Sequence, residues 1–263
     1  MKTARSFPNP GDLEPVCGPI LKVENLSASY PGFPVLENIH LSIRPARIAA
    51  LVGPNGAGKT TLLKVLGGLL PPKSGRILFC GQPIESLPAH QVARRGMIYV
   101  PEGMRVFPEM SVLENLEVGA YLHRKTLSDQ LELVFRLFPE LHEKRNSPSG
   151  NLSGGEQHML TLARGLVGKA RLLLLDDPFM NLSPKIIRRF CEAFRLLSQK
   201  GVTLFIASQH VRRILHAADP AFLIEDGRIT LSGPGPEILG DAHLQDVLLG
   251  SLPEQVREPD PSL

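Results

Sequence analysis

The run Gly53-Pro54-Asn55-Gly56-Ala57-Gly58-Lys59-Thr60-Thr61 sets three glycines ahead of a cation and two hydroxyls. Glycines let a backbone curl through positive φ, so that successive N–H groups face inward on anionic oxygens. At the end of such a turn Lys59 would reach terminal phosphates as a point charge, and the Thr60 hydroxyl would ligate Mg²⁺. A second pair, Asp176 and Asp177, ends the apolar run Leu172-Leu173-Leu174-Leu175. Two acids closing a core strand call for a cation, and beside a phosphate loop Asp176 is the acid that would support Mg²⁺. Pro101-Glu102-Gly103 ends another short apolar run and would present Glu102 from a strand tip.

These groups need a scaffold that brings them together. Before the loop, Ile48-Ala49-Ala50-Leu51-Val52 has strand character, and after it Leu62-Leu63-Lys64-Val65-Leu66 has helical spacing. Strand, glycine-rich turn and helix N-terminus are the context of a phosphate-binding loop, because the helix adds its positive end to the same spot. Further strands are expected at 20–24, 35–43, 76–81, 97–100, 171–175 and 202–207, with a hairpin at 221–233 around Asp226-Gly227. Helices are expected at 88–96, 112–123, 128–138, 159–166 and 185–198. Residues 104–150 hold no strand candidate, which marks a helical insert in an α/β core.

Two stretches allow two readings each. Ser29-Tyr30-Pro31-Gly32 forms a turn whose tyrosine would either stack on an adenine ring or pack as an ordinary turn aromatic. Asn151-Leu152-Ser153-Gly154-Gly155-Glu156-Gln157 has capping-box spacing between Ser153 and Glu156, the mark of an ordinary helix start. Two glycines exposed at a helix N-terminus also make an anion site.

Composition narrows the field. The 263 residues are 43% apolar and carry a net charge of +3, enough for a sizeable core and too little basic character for a nucleic-acid stripe. Arg94-Arg95 and Arg188-Arg189 are expected on solvated helix faces. No apolar run is long enough to span a membrane, and residues 1–19, rich in Pro and Gly, lack a secretory h-region and are expected to be a flexible extension. Cys17, Cys80 and Cys191 show no metal or disulfide spacing, as reduced thiols in a cytosolic protein would. A loose tail is expected from Pro253 onward.

The phosphate loop, Leu152-Ser153-Gly154-Gly155-Glu156-Gln157 and the double-acid strand, in this order with a helical insert, resemble the ATP-binding subunits of ABC transporters. The resemblance spans roughly residues 20–250. It implies an α/β fold with a P-loop NTPase (RecA-like) core, an N-terminal antiparallel β subdomain and a helical subdomain at about 104–160, within one domain over 20–252. It implies ATP and Mg²⁺ as cofactors, with Tyr30 on the adenine and Gly53, Pro54, Asn55, Gly56, Ala57, Gly58, Lys59, Thr60 and Thr61 around the phosphates. Thr60, Asp176 and Glu102 would serve the metal. Two ATPase subunits face head to tail in that family, so Ser153, Gly154, Gly155 and Gln157 would complete a partner's site.

Val100-Pro101-Glu102-Gly103-Met104-Arg105-Val106-Phe107-Pro108 is similar to the stretch in branched-chain amino-acid importers that has Glu where most ABC ATPases have Gln. Gln209 in Ser208-Gln209-His210 stands at the position of the switch histidine, as in the F-type subunit of those importers. Leu182-Ser183-Pro184 and Leu248-Leu249-Gly250 also look like that subunit, and urea and short-amide importers have near-identical ATPases. The implied partners are a second ATPase subunit in a heterodimer, permease subunits touched by the helical insert and, indirectly, a solute-binding protein, at the cytoplasmic face of the inner membrane. One departure stands out: the family's catalytic Glu is Asp177 here, with a carboxylate drawn back by about 1.5 Å, one C–C bond. With Lys59, Glu102 and Gln209 completing the catalytic set, this site is expected to bind ATP well and cleave it poorly. His210, one residue off the switch position, points elsewhere and is not a substitute. Soluble ABC ATPases of translation or repair carry tandem domains or a coiled coil, and this chain has one domain without heptads.

Overall fold

Where an apolar run is continuous, the strand it forms is covered on both faces. All of Leu172–Asp176 and all of Thr203–Ser208 are buried in the computed structural model, which describes residues 18–103, 106–122, 127–209 and 211–250. Residues 1–17 of the expected extension 1–19, with Cys17, residues 104–105, 123–126, His210 and 251–263, which hold the tail expected from Pro253, lie outside the described residues, as do the side chains of 248–250.

The chain opens with β1 (Leu21–Tyr30) and β2 (Phe33–Ile43), then β3 (Ile48–Val52) and helix α1 (Lys59–Leu66). β4 (Ser74–Phe79) and the two-residue β5 (Gln82–Pro83) lead to α2 (Ala89–Arg94) and β6 (Met97–Val100). Helices α3 (Val112–Gly119), α4 (Leu127–Leu137), α5 (Pro139–Glu143) and α6 (Gly154–Leu166) follow, with no strand among the described residues between β6 and β7 (Leu172–Asp176). Then come α7 (Pro184–Gln199), β8 (Thr203–Ser208), α8 (Val211–Leu215), the hairpin β9 (Ala221–Glu225) and β10 (Arg228–Gly233), α9 (Gly235–Leu239) and α10 (Ala242–Gly250).

Six strands make one sheet in the order β10-β9-β3-β8-β7-β6, parallel except for β10. Four make an antiparallel sheet, β2-β1-β4-β5. The pleat sorts the core. Leu173 and Leu175 of β7 join Ile206 in one cluster with Leu116, Val134 and Leu160 of the helical segment. Leu172 and Leu174 face the other way, with Leu62 and Leu66 of α1 and with Leu26 and Ile39 of the antiparallel sheet. The parallel sheet is thus a wall shared by two apolar cores.

This is the α/β architecture with a separate antiparallel sheet that the sequence leads one to expect, and the boundaries differ for physical reasons. β1 continues past Glu24 to Tyr30, because a bulge at Asn25 (φ 49°) shifts its register and interrupts the visible alternation. Tyr30 therefore ends a strand, paired with Phe33, and only Pro31-Gly32 is left in the turn. α3 stops at Gly119, short of the expected 123. A Cβ there would stand 2.4 Å from the Arg164 carbonyl oxygen, so the glycine is what lets α3 lie close on α6. α6 starts five residues earlier than the apolar period suggests, because its first turn is polar and glycine-rich.

Candidate functional site

The phosphate loop connects β3 to α1, as the flanking periodicities require. Gly58 caps α1 with φ 107° and no side-chain hydrogen bond, so the first N–H groups of the helix carry no side-chain partner at the cap. At Gly58 a Cβ would meet Leu36 at 2.9 Å, whereas at Gly56 (φ 80°) a Cβ would meet nothing within 4 Å. Gly58 is glycine for both packing and conformation and Gly56 for conformation alone, which leaves space beside Gly56 open. The loop is also tied down from behind, since Gly227 N–H in the β9–β10 turn donates to the Ala57 carbonyl at 3.0 Å.

Lys59 is buried, 9% exposed, and its Nζ donates to the carbonyls of Gly53 and Pro54, both at 2.8 Å. Burial pushes its ammonium below the usual lysine range, and the charges of Asp177 and then Asp176 draw it back up. Burial outweighs the two carboxylates, so the group stays below the usual lysine range. The Thr60 hydroxyl donates to Asp176 Oδ1 at 3.0 Å. Tyr99 holds the other oxygen, its hydroxyl donating to Asp176 Oδ2 at 2.9 Å.

Asp177 follows in the left-handed region (φ 41°), a conformation that Asp tolerates better than longer side chains. Its N–H donates to the Ala207 carbonyl at 2.9 Å, and its Oδ1 accepts from the Ser208 hydroxyl at 3.3 Å. Backbone and side chain are both fastened to β8. Gln209, exposed, follows Ser208 off the end of that strand, and Glu102, also exposed, lies just beyond the end of β6.

β3, β8, β7 and β6 are adjacent and parallel, so the phosphate loop, Gln209, the two acids and Glu102 all collect at the C-terminal ends of neighbouring strands. That edge is where open parallel α/β sheets bind ligands. Tyr30 belongs to the antiparallel sheet. Its partner in register is Phe33 of β2, whose Val35 and Leu36 lie against the loop's Gly58, and Tyr30 is 39% exposed.

Ser153, Gly154, Gly155 and Gln157 sit apart, on the helical side. α6 rests on α3, α4, α5 and β6, whereas α1 rests on β2, β7 and β8. Ser153 caps α6 and forms the full capping box. Its N–H donates to Glu156 Oε2 at 2.8 Å, and Glu156 N–H donates to Ser153 Oγ at 3.4 Å. Lys144 clamps Glu156 from the side at 2.6 Å. Partial burial would raise the Glu156 carboxyl, and the bonds from Lys144 and Ser153 outweigh it, holding the group below the usual carboxylate range. Gln157 turns inward, its amide donating to the Leu152 and Ser149 carbonyls at 3.2 and 3.3 Å, so it shapes the turn rather than extending from it. Ser153 and Gly154 remain exposed.

Behind this turn lies a buried hub that sequence reading did not single out. Asn115, fully buried, accepts from Phe107 N–H at 2.9 Å and donates to the Phe107 and Ser111 carbonyls at 3.0 Å and to Ser149 Oγ at 3.1 Å. It joins both ends of the helical segment next to the capped turn. Two further residues were also missed, Tyr99 and Ser208. Tyr99 had a signal: a tyrosine within the buried run Met97-Ile98-Tyr99-Val100 needs a partner for its hydroxyl. A small cleft beside the two acids is lined by Gly103, His158, Thr161, Asp176, Asp177 and Pro178 among others.

The donor chemistry fits Mg²⁺ with a polyphosphate. Thr60 and Asp176 supply hard oxygens, and among the described residues no group of three or more His, Cys, Asp or Glu could cage an ion. Mg²⁺ suits such a place because it keeps waters and phosphate oxygens as most of its ligands. When bound, that cation neutralises charge building on the phosphates. Asp176 is oriented by two hydroxyls, Thr60 and Tyr99, and Asp177 is held by Ser208, while the loop N–H groups and Lys59 would cradle the phosphates.

Known proteins agree with this assembly. A family profile described as ABC transporter matches residues 36–180. The high-affinity branched-chain amino acid transport ATP-binding protein BraG of Pseudomonas aeruginosa is 37% identical over 232 residues, covering 88% of this chain and 100% of that protein. The lipopolysaccharide export system ATP-binding protein LptB of Escherichia coli K12 is 33% identical, covering 88% of this chain and 97% of that one. In fold, the ADP conformation of MJ1267, an ATP-binding cassette of an ABC transporter, is similar with a TM-score of 0.78 at 23% identity, over 88% of this chain and 99% of that one. With its phosphate loop, Ser153-Gly154-Gly155 turn and acid strand in this order, the chain belongs to the ABC transporter family, as an ATP-binding subunit.

Proposed function

We propose that this chain couples ATP binding and hydrolysis to the uptake of branched-chain amino acids or similar small polar solutes. It would work as one half of an ATPase heterodimer at the cytoplasmic face of the inner membrane. The observation that carries the solute class is the full-length similarity to BraG. Glu102 and Gln209, the two positions where this chain has the importer residues, support the same reading. The described residues include no helix long and apolar enough to cross a membrane, so passage of the solute falls to separate permease subunits. The helical segment, about 104–160 within a domain over 20–252, is the part that would meet them, with a solute-binding protein on the far side.

In this reading the chain's own site binds Mg²⁺ and ATP through Lys59, Thr60, Asp176 and Glu102, with Tyr30 on the adenine, and hydrolyses slowly. A general base must come within about 2.6–3.2 Å of its water, and a misplacement near 1 Å costs on the order of a hundredfold. Asp177 is short, and its Oδ1 also accepts from Ser208. Ser153, Gly154 and Gly155 would close the partner's site instead, with Gln157 bracing them.

The test is uptake in cells lacking this gene. Loss of labelled leucine uptake, restored by the parent chain and not by Lys59→Ala, is the expected result. Loss of urea or acetamide uptake alone would assign the subunit to an amide importer. The 33% similarity to LptB supplies a further arm, a defect in lipopolysaccharide export with uptake intact, which would overturn the importer reading. A chain that restores uptake equally well with Lys59→Ala would be a nucleotide-binding structural subunit.

A further inference from the structure

We propose that Tyr99 is a positioning residue for the divalent cation, fixing the plane of Asp176 from the strand that leads to Glu102. The inference rests on the ATP and Mg²⁺ reading above and assigns a part to a residue that reading leaves out.

Asp176 turns about a terminal sp³–sp² torsion, which is broad and soft when nothing holds it. Here both oxygens are held, Oδ1 by Thr60 and Oδ2 by Tyr99. The two donors differ in kind. A threonine hydroxyl that gives its proton to Oδ1 keeps lone pairs for a metal, so Thr60 can serve carboxylate and cation together. Tyr99 comes from the side of β6 and belongs to the frame.

That frame is tight. The ring packs in the apolar cluster behind α1, and a Cβ on Gly67, the C-cap of α1, would come within 3.2 Å of Tyr99 Cβ. Tyr99 therefore runs from the far end of the helix that carries Lys59 and Thr60 to the acid that faces them. It is paired in register with Leu174 of β7, two residues before Asp176, so ring and carboxylate rise from neighbouring strands at a fixed offset. Glu102 follows three residues after Tyr99, beyond the end of the same strand. Any shift of β6 that carries Glu102 also carries the hydroxyl that orients Asp176.

Tyr99→Phe removes one oxygen and keeps the ring. In a calorimeter with a chelator present, its affinity for ATP should equal the parent's. Titrated with Mg²⁺ at fixed ATP, its half-saturating Mg²⁺ concentration should rise about tenfold, the worth of one hydrogen bond to a charged acceptor. An unchanged Mg²⁺ midpoint overturns the proposal, as does an equal loss of ATP affinity with and without metal, which is what simple loosening would give. Failure of the parent to bind ATP at all would strike the nucleotide reading instead.

A second measurement keeps Tyr99 in place. The chain has three tyrosines and no tryptophan, so in a Tyr30→Phe/Tyr121→Phe background Tyr99 is the sole emitter of its kind. Mg²⁺ added to that ATP-loaded protein should change the tyrosine emission as Asp176 engages. A flat titration overturns the proposal even where Tyr99→Phe does not fold.

Discussion

Two helices begin with glycine-rich turns, and their N-termini are built in opposite ways. α1 is capped by Gly58 with no side-chain acceptor, and its Lys59 bends back onto loop carbonyls. α6 is capped by Ser153, with Glu156 answering in a complete capping box and Lys144 clamping Glu156. Both present the positive end of a helix, worth typically 0.3–1 kcal/mol to a nearby anion. In α1 the cap is a glycine at positive φ, which costs it no strain and offers the first N–H groups no side-chain acceptor. In α6 the protein supplies its own acceptors and presents a finished, rigid turn with Ser153 and Gly154 on the surface. In the proposed reading the first end binds nucleotide and the second docks on the partner's.

Breaking the finished end should have the largest effect. In the assembled transporter, Ser153→Arg puts bulk and charge on the surface that would close the partner's site and removes the cap as well. Steady-state phosphate release from the complex should fall nearly to background, while ATP affinity of the isolated chain stays within about twofold of parent. Undiminished release would mean that the turn docks on nothing.

Breaking the open end comes next. Lys59→Ala removes charge-assisted contacts to the terminal phosphates and takes one donor each from the Gly53 and Pro54 carbonyls. ATP affinity should drop about ten- to a hundredfold, about 1.5–3 kcal/mol, measured by titration calorimetry. Equal affinities would remove α1 from the comparison.

The contrast also accounts for how much could be read without coordinates. The loop and the acids were legible because their chemistry is local: a glycine run between strand and helix periods, and carboxylates ending an unbroken apolar strand. The order of the strands was not, since β9 adds beside β3 rather than beside β8, its neighbour in sequence, and nothing in one strand's pattern names its neighbour. Tyr99 escaped for the same reason: its partner is 77 residues away. Asn115 looked like one more polar position on an amphipathic helix, and only the return of Ser149 to its side shows it to be a hub. Ser153-x-x-Glu156 was visible as a capping box, yet Lys144, which completes the clamp, lies nine residues before the cap, in a loop with no period to mark it.

A smaller effect sharpens the asymmetry between the chain's own site and the one it would complete. If carboxylate reach limits hydrolysis here, Asp177→Glu should recover about tenfold of a roughly hundredfold deficit in phosphate release, with Gln209 still in place. The gain has a cost, because residue 177 is left-handed and Glu tolerates that region less well than Asp. The same variant should melt a few degrees lower. A lower melting point with no gain in rate would place the limit at Gln209 instead.

The smallest effect separates charge from hydrogen bonding in the α6 cap. Glu156→Gln keeps an acceptor for the Ser153 N–H and loses the charge that Lys144 faces. Because the folded Glu156 carboxyl sits below its unfolded value of about 4.5, its stabilisation is fully present above that value and is lost as pH falls through the folded one. At pH 7 the parent should therefore melt higher than Glu156→Gln, by about 2–4 °C for about 1 kcal/mol in a chain of this size. As the pH is lowered below about 4.5, the parent should lose that lead and the two melting curves should converge. A gap that stays constant across the range would mean that geometry alone holds the cap, and that the Lys144 clamp adds nothing to the rigidity with which α6 presents its turn.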